Sequence, residues 1–173
     1  MLWPSRPPAA RRCLPITRTM ASVVTYHPEY REEFERLNRA WIEQHFVVEE
    51  GDREVFRDPF AAIVEPGGEI FFVVEDGQVQ GTCAVLPHEP GVYEIAKMAV
   101  APAARGKGYG DLLMEASVGF ARRVGARRVV IVSNTVLAPA IRLYEKHGFV
   151  RVPLDEHERF ARANIRLERE LAG

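Results

Sequence analysis

Beyond Met20 the apolar positions fall into runs of two periods, and their order predicts an alternating chain. "SVVTY" (22–26) is a short run rich in β-branched residues and predicts a strand. Tyr30, Phe34, Leu37 and Trp41 then recur at helical spacing, so "EYREEFERLNRAWIEQHF" predicts an amphipathic helix with a charged outer face. "EEGDREVFRDP" predicts a second, short helix that stops before Pro59. "EIFFVVEDGQVQGTCAVL" holds two β-type runs about Asp76-Gly77, a pair suited to a type I′ hairpin turn because both central residues need positive φ. Tyr93 to Val100 continues this meander as a third strand.

After a glycine-rich turn, Leu112, Ala116, Phe120 and Val124 recur every four residues with Leu113 beside them, predicting a helix that lays that face on the sheet and closes at Gly125. "RRVVIVSN" has the continuous apolar centre of a strand covered on both faces. "VLAPAIRLYEKHGF" predicts a helix with Leu137, Ala140, Ile141 and Tyr144 on one stripe, Pro139 in its first turn and Gly148 as its stop. "FVRVP" and "ARANIRLEREL" supply two last strands, and no internal repeat occurs.

The chain has 173 residues, room for one domain with a substantial core, which we read as 21–173. Residues 1–20 read as an unfolded leader or an over-extended start: "MLWPSRPPAARRCLPITRT" is rich in proline and arginine, has no acid and lacks an apolar h-region, whereas Met20 with "ASVVTY" reads as a natural beginning. No stretch has the ~18 apolar residues of a membrane span. The net charge of −1 gives no overall bias toward nucleic acid or an anionic membrane. Cys13 and Cys83 form no disulfide framework, and neither the cysteines nor the histidines, His157 beside Glu158 included, have metal-ligand spacing. We therefore expect a soluble, cytoplasmic protein without a metal.

Local charge is more informative. "VAPAARGKGYG" runs from a strand into a helix with Gly106, Gly108 and Gly110 at alternate positions and Arg105 and Lys107 between them. A P-loop would need Ser or Thr where Gly108 stands, and a dinucleotide fingerprint would need G-x-G-x-x-G. What remains is general physics: unpaired N–H groups at a helix start, aided by the macrodipole and two cations, suit a diphosphate.

The same segment resembles the Arg/Gln-x-x-Gly-x-Gly/Ala signature of the GNAT superfamily of acetyl-coenzyme-A-dependent N-acetyltransferases, with Arg105, Gly108 and Gly110 at the signature positions. "SNTVLAPAIRLYEKHGF" resembles the family's second cofactor segment, and the order of elements agrees from Ser22 to Leu171. The resemblance implies an α/β (α+β) fold with a mixed sheet of six to seven strands flanked by about four helices, its fourth and fifth strands splayed. Acetyl-CoA would bind there as cosubstrate. Backbone groups of Met98, Ala99 and Val100 would meet the pantetheine arm, the turn Arg105, Gly106, Lys107, Gly108, Tyr109 and Gly110 would hold the pyrophosphate, and Asn134 and Tyr144 would contact the arm from the other side. The main-chain amide near Met98 would donate to the thioester carbonyl.

The chemistry adds two candidate catalytic residues. A primary amine of pKa ~10.4 needs roughly 4–5 kcal/mol to present its neutral form at pH 7, so a base helps. Alternation along Tyr93–Val100 places Glu94 on one face with Ala96, Met98 and Val100, in an apolar region that favours the base role; a strand-end carboxylate in an ion pair, or a substrate-binding one, is the alternative. Tyr144 is the candidate donor to the departing thiolate; otherwise it is a core tyrosine. The acceptor, a small-molecule or peptide amine, would be walled by Trp41, Phe46, the "VVEEGDREVF" segment and Arg166, although Glu49, Glu50 and Asp52 there read equally as a solvated face. The first helix could also pack against a second copy in a homodimer. A non-catalytic acyl-CoA sensor and a metal-dependent phosphate hydrolase using Asp111 are the competing readings.

Overall fold

A computed structural model describes residues 20–154 and 160–171. The leader read at the N-terminus lies outside the described residues except for Met20, as do Cys13 and the His157–Glu158 pair. Seven strands form one mixed sheet: β1 (Ser22–Thr25), β2 (Glu69–Glu75), β3 (Gln78–Glu89), β4 (Val92–Val100), β5 (Arg128–Ser133), β6 (Val150–Val152) and β7 (Ile165–Glu170), in the order β1-β2-β3-β4-β5-β7-β6. The four predicted helices are α1 (Arg31–His45), α2 (Glu50–Arg57), α3 (Tyr109–Arg123) and α4 (Ala138–Lys146). A π-helical turn at Phe60–Val64 joins them, a tightly bonded irregularity that no period in the sequence announces. No helix among the described residues is long and apolar enough to cross a membrane.

The sheet separates two cores. On one face Phe34, Leu37 and Ile42 of α1 and Val55 and Phe56 of α2 meet Ile70, Phe72 and Ala84. On the other, α3 and α4 cover Val73, Cys83, Val85, Val129 and Ile131. The apolar face of α1 is thus used on the chain's own sheet, while its outer side carries Glu33–Arg36 and Glu35–Arg39–Glu43 pairs. Asp76 and Gly77 both take positive φ, as the hairpin turn requires.

The seating of α3 corrects the predicted stripe. Leu113, Met114, Ser117, Val118 and Ala121 are buried, one position round from Leu112, Ala116 and Phe120, which lie on the flank, and Val124 is exposed. Apolar residues surround most of this helix, so its period left the phase open. Buried Ser117, which bonds Cys83 Sγ at 3.4 Å, was the polar position that obscured the stripe.

The centre of the sheet is where order breaks down. β4 and β5, the one parallel pair, are in register only from Val92↔Arg128 to Glu94↔Val130. Beyond that, β4 follows β3 and β5 follows β7, and the two part. In the same stretch β4 carries an extra residue against β3, between the pairs Thr82↔Ala99 and Ala84↔Ala96, and Lys97 takes φ +53°. This β-bulge reverses the alternation. Tyr93 and Ile95 pack on the α3 side before it, Met98 and Val100 after it. Glu94 is therefore not on one face with Met98 and Val100, as strict alternation had it; it pairs with Leu86, which packs on the α1 side.

The bulge turns Lys97 toward α2, where its ammonium meets the carboxylate of fully buried Asp52. Arg162, from the turn before β7, donates to both Asp52 oxygens at 2.7 and 2.8 Å and to Glu49 at 3.1 Å. Glu49 and Asp52 also cap α2 reciprocally. Burial opposes ionisation of Asp52, but the Arg162 hydrogen bonds and the Lys97 charge outweigh it and hold its pKa at about 2. Because the folded value lies below the ordinary Asp value of about 3.9, this group's stabilisation is present at neutral pH and is lost as pH falls through roughly 4 to 2. We expect unfolding free energies, measured by urea titration across that window, to fall about 2 kcal/mol further in the wild type than in Asp52→Asn; parallel curves for the two proteins would refute the assignment.

Candidate active site

The parting of β4 and β5 opens a cleft of about 750 Å³ through the middle of the molecule. Its floor is Ile131 and the β4 backbone, one end is the glycine turn, and the other is walled by Trp41, Phe46, Phe160 and Arg162. Strand edges that separate leave backbone donors and acceptors facing the gap, and these need a partner. Met98, Ala99 and Val100 line it.

At the turn end, the chain leaves β4, makes a short helical turn at Pro102–Ala104 and enters α3 with Gly108 as N-cap. Gly106 and Gly108 have φ of +81° and +84°, conformations an L side chain resists, and a Cβ at either would meet nothing within 4 Å. These glycines therefore set the direction of the backbone, and the space above them is open. The first α3 bond runs from Leu112 N–H to Gly108 O at 3.2 Å, so the amides of Tyr109, Gly110 and Asp111 have no partner inside the helix. Arg105, Gly106, Gly108, Tyr109 and Gly110 all line the cleft.

Three members of this turn act differently from the sequence expectation. Lys107 does not line the cleft with its side chain; its ammonium pairs with Glu75 at 2.8 Å. A Cβ on Gly110 would come within 2.9 Å of Leu143 Cδ2, so that glycine permits the close approach of α4 as well as bordering the cleft. Tyr109 is buried, and its hydroxyl bonds Glu75, which together with burial raises its pKa. Asp111, in the first turn of α3, is bound by Lys146 at 2.7 Å and His147 at 2.8 Å, and these contacts lower its pKa. Among the described residues no three His, Cys, Asp or Glu groups come together as a metal-holding cluster.

Glu94 and Tyr144 reach the same cleft from opposite walls. The Glu94 side chain is 19% exposed, and its Oε2 lies 3.8 Å from His88 Nδ1. Tyr144, on α4, is buried, and desolvation followed by the nearby Cys83 raises its pKa, which keeps the phenol protonated and able to donate. Cys83 itself is a free, buried thiol pushed up to about 12 by burial, against the Ser117 hydrogen bond. Asn134 borders the cleft, yet its amide is engaged: Nδ2 donates to Arg162 O at 2.6 Å and Oδ1 accepts from Val136 N–H at 2.9 Å.

Two residues escaped the sequence reading. Lys97 was hidden because a strict alternation cannot show a bulge. Arg162 was absorbed into a predicted strand from Ala161, whereas β7 begins at Ile165 and residues 161–164 turn across the cleft. The acceptor-side role expected of Arg166 does not hold, since it pairs with Glu168 at 2.9 Å on β7 and does not line the cleft. Of the three nearby acids, Glu50 is exposed and paired with Arg53, while Glu49 and Asp52 face inward.

Known proteins resemble this chain in sequence and in fold. The model of the acetyltransferase (GNAT) family matches residues 23–149. The chain is 32% identical over 81 residues to mycothiol acetyltransferase of Corynebacterium glutamicum (strain R), 47% of this chain but 28% of that protein. It is 32% identical over 99 residues to the uncharacterized N-acetyltransferase YjgM of Escherichia coli K12, 55% of this chain and 59% of that one. The chain thus spans less than two thirds of these relatives. Its fold matches a GNAT-family acetyltransferase of Staphylococcus aureus Mu50 with a TM-score of 0.81 at 14% identity, covering 88% of this chain and all of the other. It also matches yncA of Salmonella typhimurium, solved with acetyl-CoA, with a TM-score of 0.72 at 18% identity over 88% and 94% of the two chains. The family model covers well over half of the chain, and the chain belongs to the GNAT acetyltransferase family.

Proposed function

We propose that this protein transfers an acetyl group from acetyl-CoA to a primary amine of a small molecule or peptide by direct attack. The observation that carries the reading is the continuity of the parted β4–β5 edge with the unpaired amides of the glycine turn. Such a path offers strand-like bonding to an extended amide-bearing arm and main-chain donors to a diphosphate, which is the chemical order of coenzyme A. The donor set fits: open space above Gly106 and Gly108, and a cleft long enough to reach the aromatic end.

Acetyl-CoA supplies an activated thioester, and the residues of this chain do the rest. Arg105 and the amides of Gly106, Gly108, Tyr109 and Gly110 hold the diphosphate, while the Lys107 amide stays on Ala104 O and its side chain on Glu75. Met98, Ala99 and Val100 hold the arm along β4, and Asn134 shapes the opposite wall through its bonds to Arg162 and Val136. Glu94 takes the proton from the incoming ammonium, directly or through a water. The main-chain amide near Met98 faces the negative charge that grows on the acetyl oxygen. The Tyr144 phenol donates a hydrogen bond to the departing sulfur; since its pKa is raised, that bond stabilises the thiolate more than it transfers a proton. The acceptor lies toward Trp41, Phe46 and Phe160, against aromatic faces. A reducing, cytoplasmic setting suits the free Cys83.

Acetyl-CoA should raise the melting temperature, while ATP and NAD should not, and Gly108→Glu should remove the shift without unfolding the protein, because the added carboxylate enters open space where the diphosphate sits. An undiminished shift in that variant would contradict the placement. With an amine found by thiol-release assay, Glu94→Gln should lower kcat about 100-fold and displace the acid limb of its pH profile. Tyr144→Phe should lower kcat about 10-fold with little change in KM. Acetyl-CoA binding with no thiol release from any amine would instead identify a sensor.

A further inference from the structure

Among the described residues only Asp76 and Lys97 combine a side chain with positive φ, and Asp76 sits in a hairpin turn that calls for it. Lys97 sits within a strand, where the left-handed conformation costs an L residue about 1–2 kcal/mol. Such a conformation persists when its surroundings over-determine it. Here the surroundings include a buried carboxylate. Asp52 Oδ1 accepts from Lys97 and from Arg162 Nη2, and its Oδ2 accepts from Arg162 Nη1 and the Glu49 amide at 3.0 Å. The carboxylate is fully buried and has no freedom to follow the lysine. The Lys97 ammonium also lies over the Phe56 and Phe160 rings, at 5.6 and 4.5 Å.

From this geometry we infer that Asp52 is a positioning residue for acyl transfer: by holding the Lys97 ammonium it fixes the β4 bulge and so aims the neighbouring main-chain amide, near Met98, into the cleft. The inference rests on the reading that the cleft takes acetyl-CoA. A regular β4 would carry no extra residue against β3, and the amide beside Lys97 would then take the direction that strict alternation sets. Stability alone does not account for the arrangement, because well-packed apolar residues commonly replace buried ion pairs without loss. What an apolar pair would lack is a fixed point, reached from α2, that keeps a strained strand residue from relaxing.

The test needs no acceptor. Carbonyl-labelled acetyl-CoA is bound to the full chain, its affinity measured, and the carbonyl band recorded by isotope-edited infrared difference spectroscopy. In the wild type an aimed amide polarises the carbonyl and lowers its frequency. Asp52→Asn and Lys97→Met should both return the band to higher frequency while the acetyl-CoA Kd stays within about threefold. Lys97→Arg should keep the low band, as should Glu50→Gln on the exposed side of α2. With an amine in hand, Asp52→Asn should lower kcat about 10- to 100-fold, and should have no further effect in a Lys97→Met background. Coincident bands in the wild type and Asp52→Asn would overturn the inference. If Asp52→Asn does not fold, the Lys97 pair decides it, and a low band retained by Lys97→Met overturns it equally. A wild type that binds with an unshifted band rejects the positioning role and leaves the cofactor site standing, whereas a wild type that does not bind acetyl-CoA at all overturns both.

Discussion

The separation of β4 from β5 is the constraint on which the rest of this structure depends. A parallel pair normally continues for the length of both strands, and the two stop pairing here after Glu94↔Val130 although each runs on. Their outer edges stay satisfied, β4 by β3 and β5 by β7, so the sheet does not unravel. Only the inner edges face the gap. An unpaired edge inside a protein is costly unless something bonds to it, and that cost is what makes the cleft a site for an extended polar ligand.

Holding such a gap open requires walls that do not collapse, and the ties that hold them are polar. Asp52 joins α2 to β4 and to the turn before β7. Asn134 fastens that same turn to the end of β5 through Arg162 O, and Asp111 fastens the start of α3 to the end of α4. Hydrophobic packing could not substitute, because it is non-directional and would favour closure. The Asp52 and Asp111 ties are charge-assisted, the shorter and stronger class of hydrogen bond. Ionisation of Asp52 is part of the same design: its burial works against the charge, and two cations restore it.

How legible this was follows the range of the forces involved. The helices, the hairpin about Asp76-Gly77 and the strand order up to the glycine turn depend on local periods and local φ, and the sequence shows them. The glycine turn was legible for the same reason, since Gly106 and Gly108 need positive φ whatever lies nearby. The bulge at Lys97 was not, because nothing in "YEIAKMAV" distinguishes a lysine facing solvent from one turned onto a carboxylate 45 residues earlier. Arg162 meets that carboxylate across 110 residues, so it carried no signal at all. Lys107 shows the same limit: nothing beside it in the chain foretells that Glu75 of the preceding hairpin pairs with its ammonium.

That pairing bears on the charge left at the turn. With Lys107 occupied by Glu75, the anion-binding power of the turn rests on main-chain amides, the α3 dipole and Arg105. Main-chain donors cannot swing away or be neutralised by a competing carboxylate, so the turn keeps its shape whether or not a ligand is present. The aromatic end is fixed too, by Arg162 stacked 4.5 Å from the Phe160 ring while bonded to Asp52 and Glu49. A cleft with both ends fixed in this way spends little on ordering itself when an extended ligand enters. The strain at Lys97 is carried by the folded state itself, through the Asp52 carboxylate and the rings of Phe56 and Phe160.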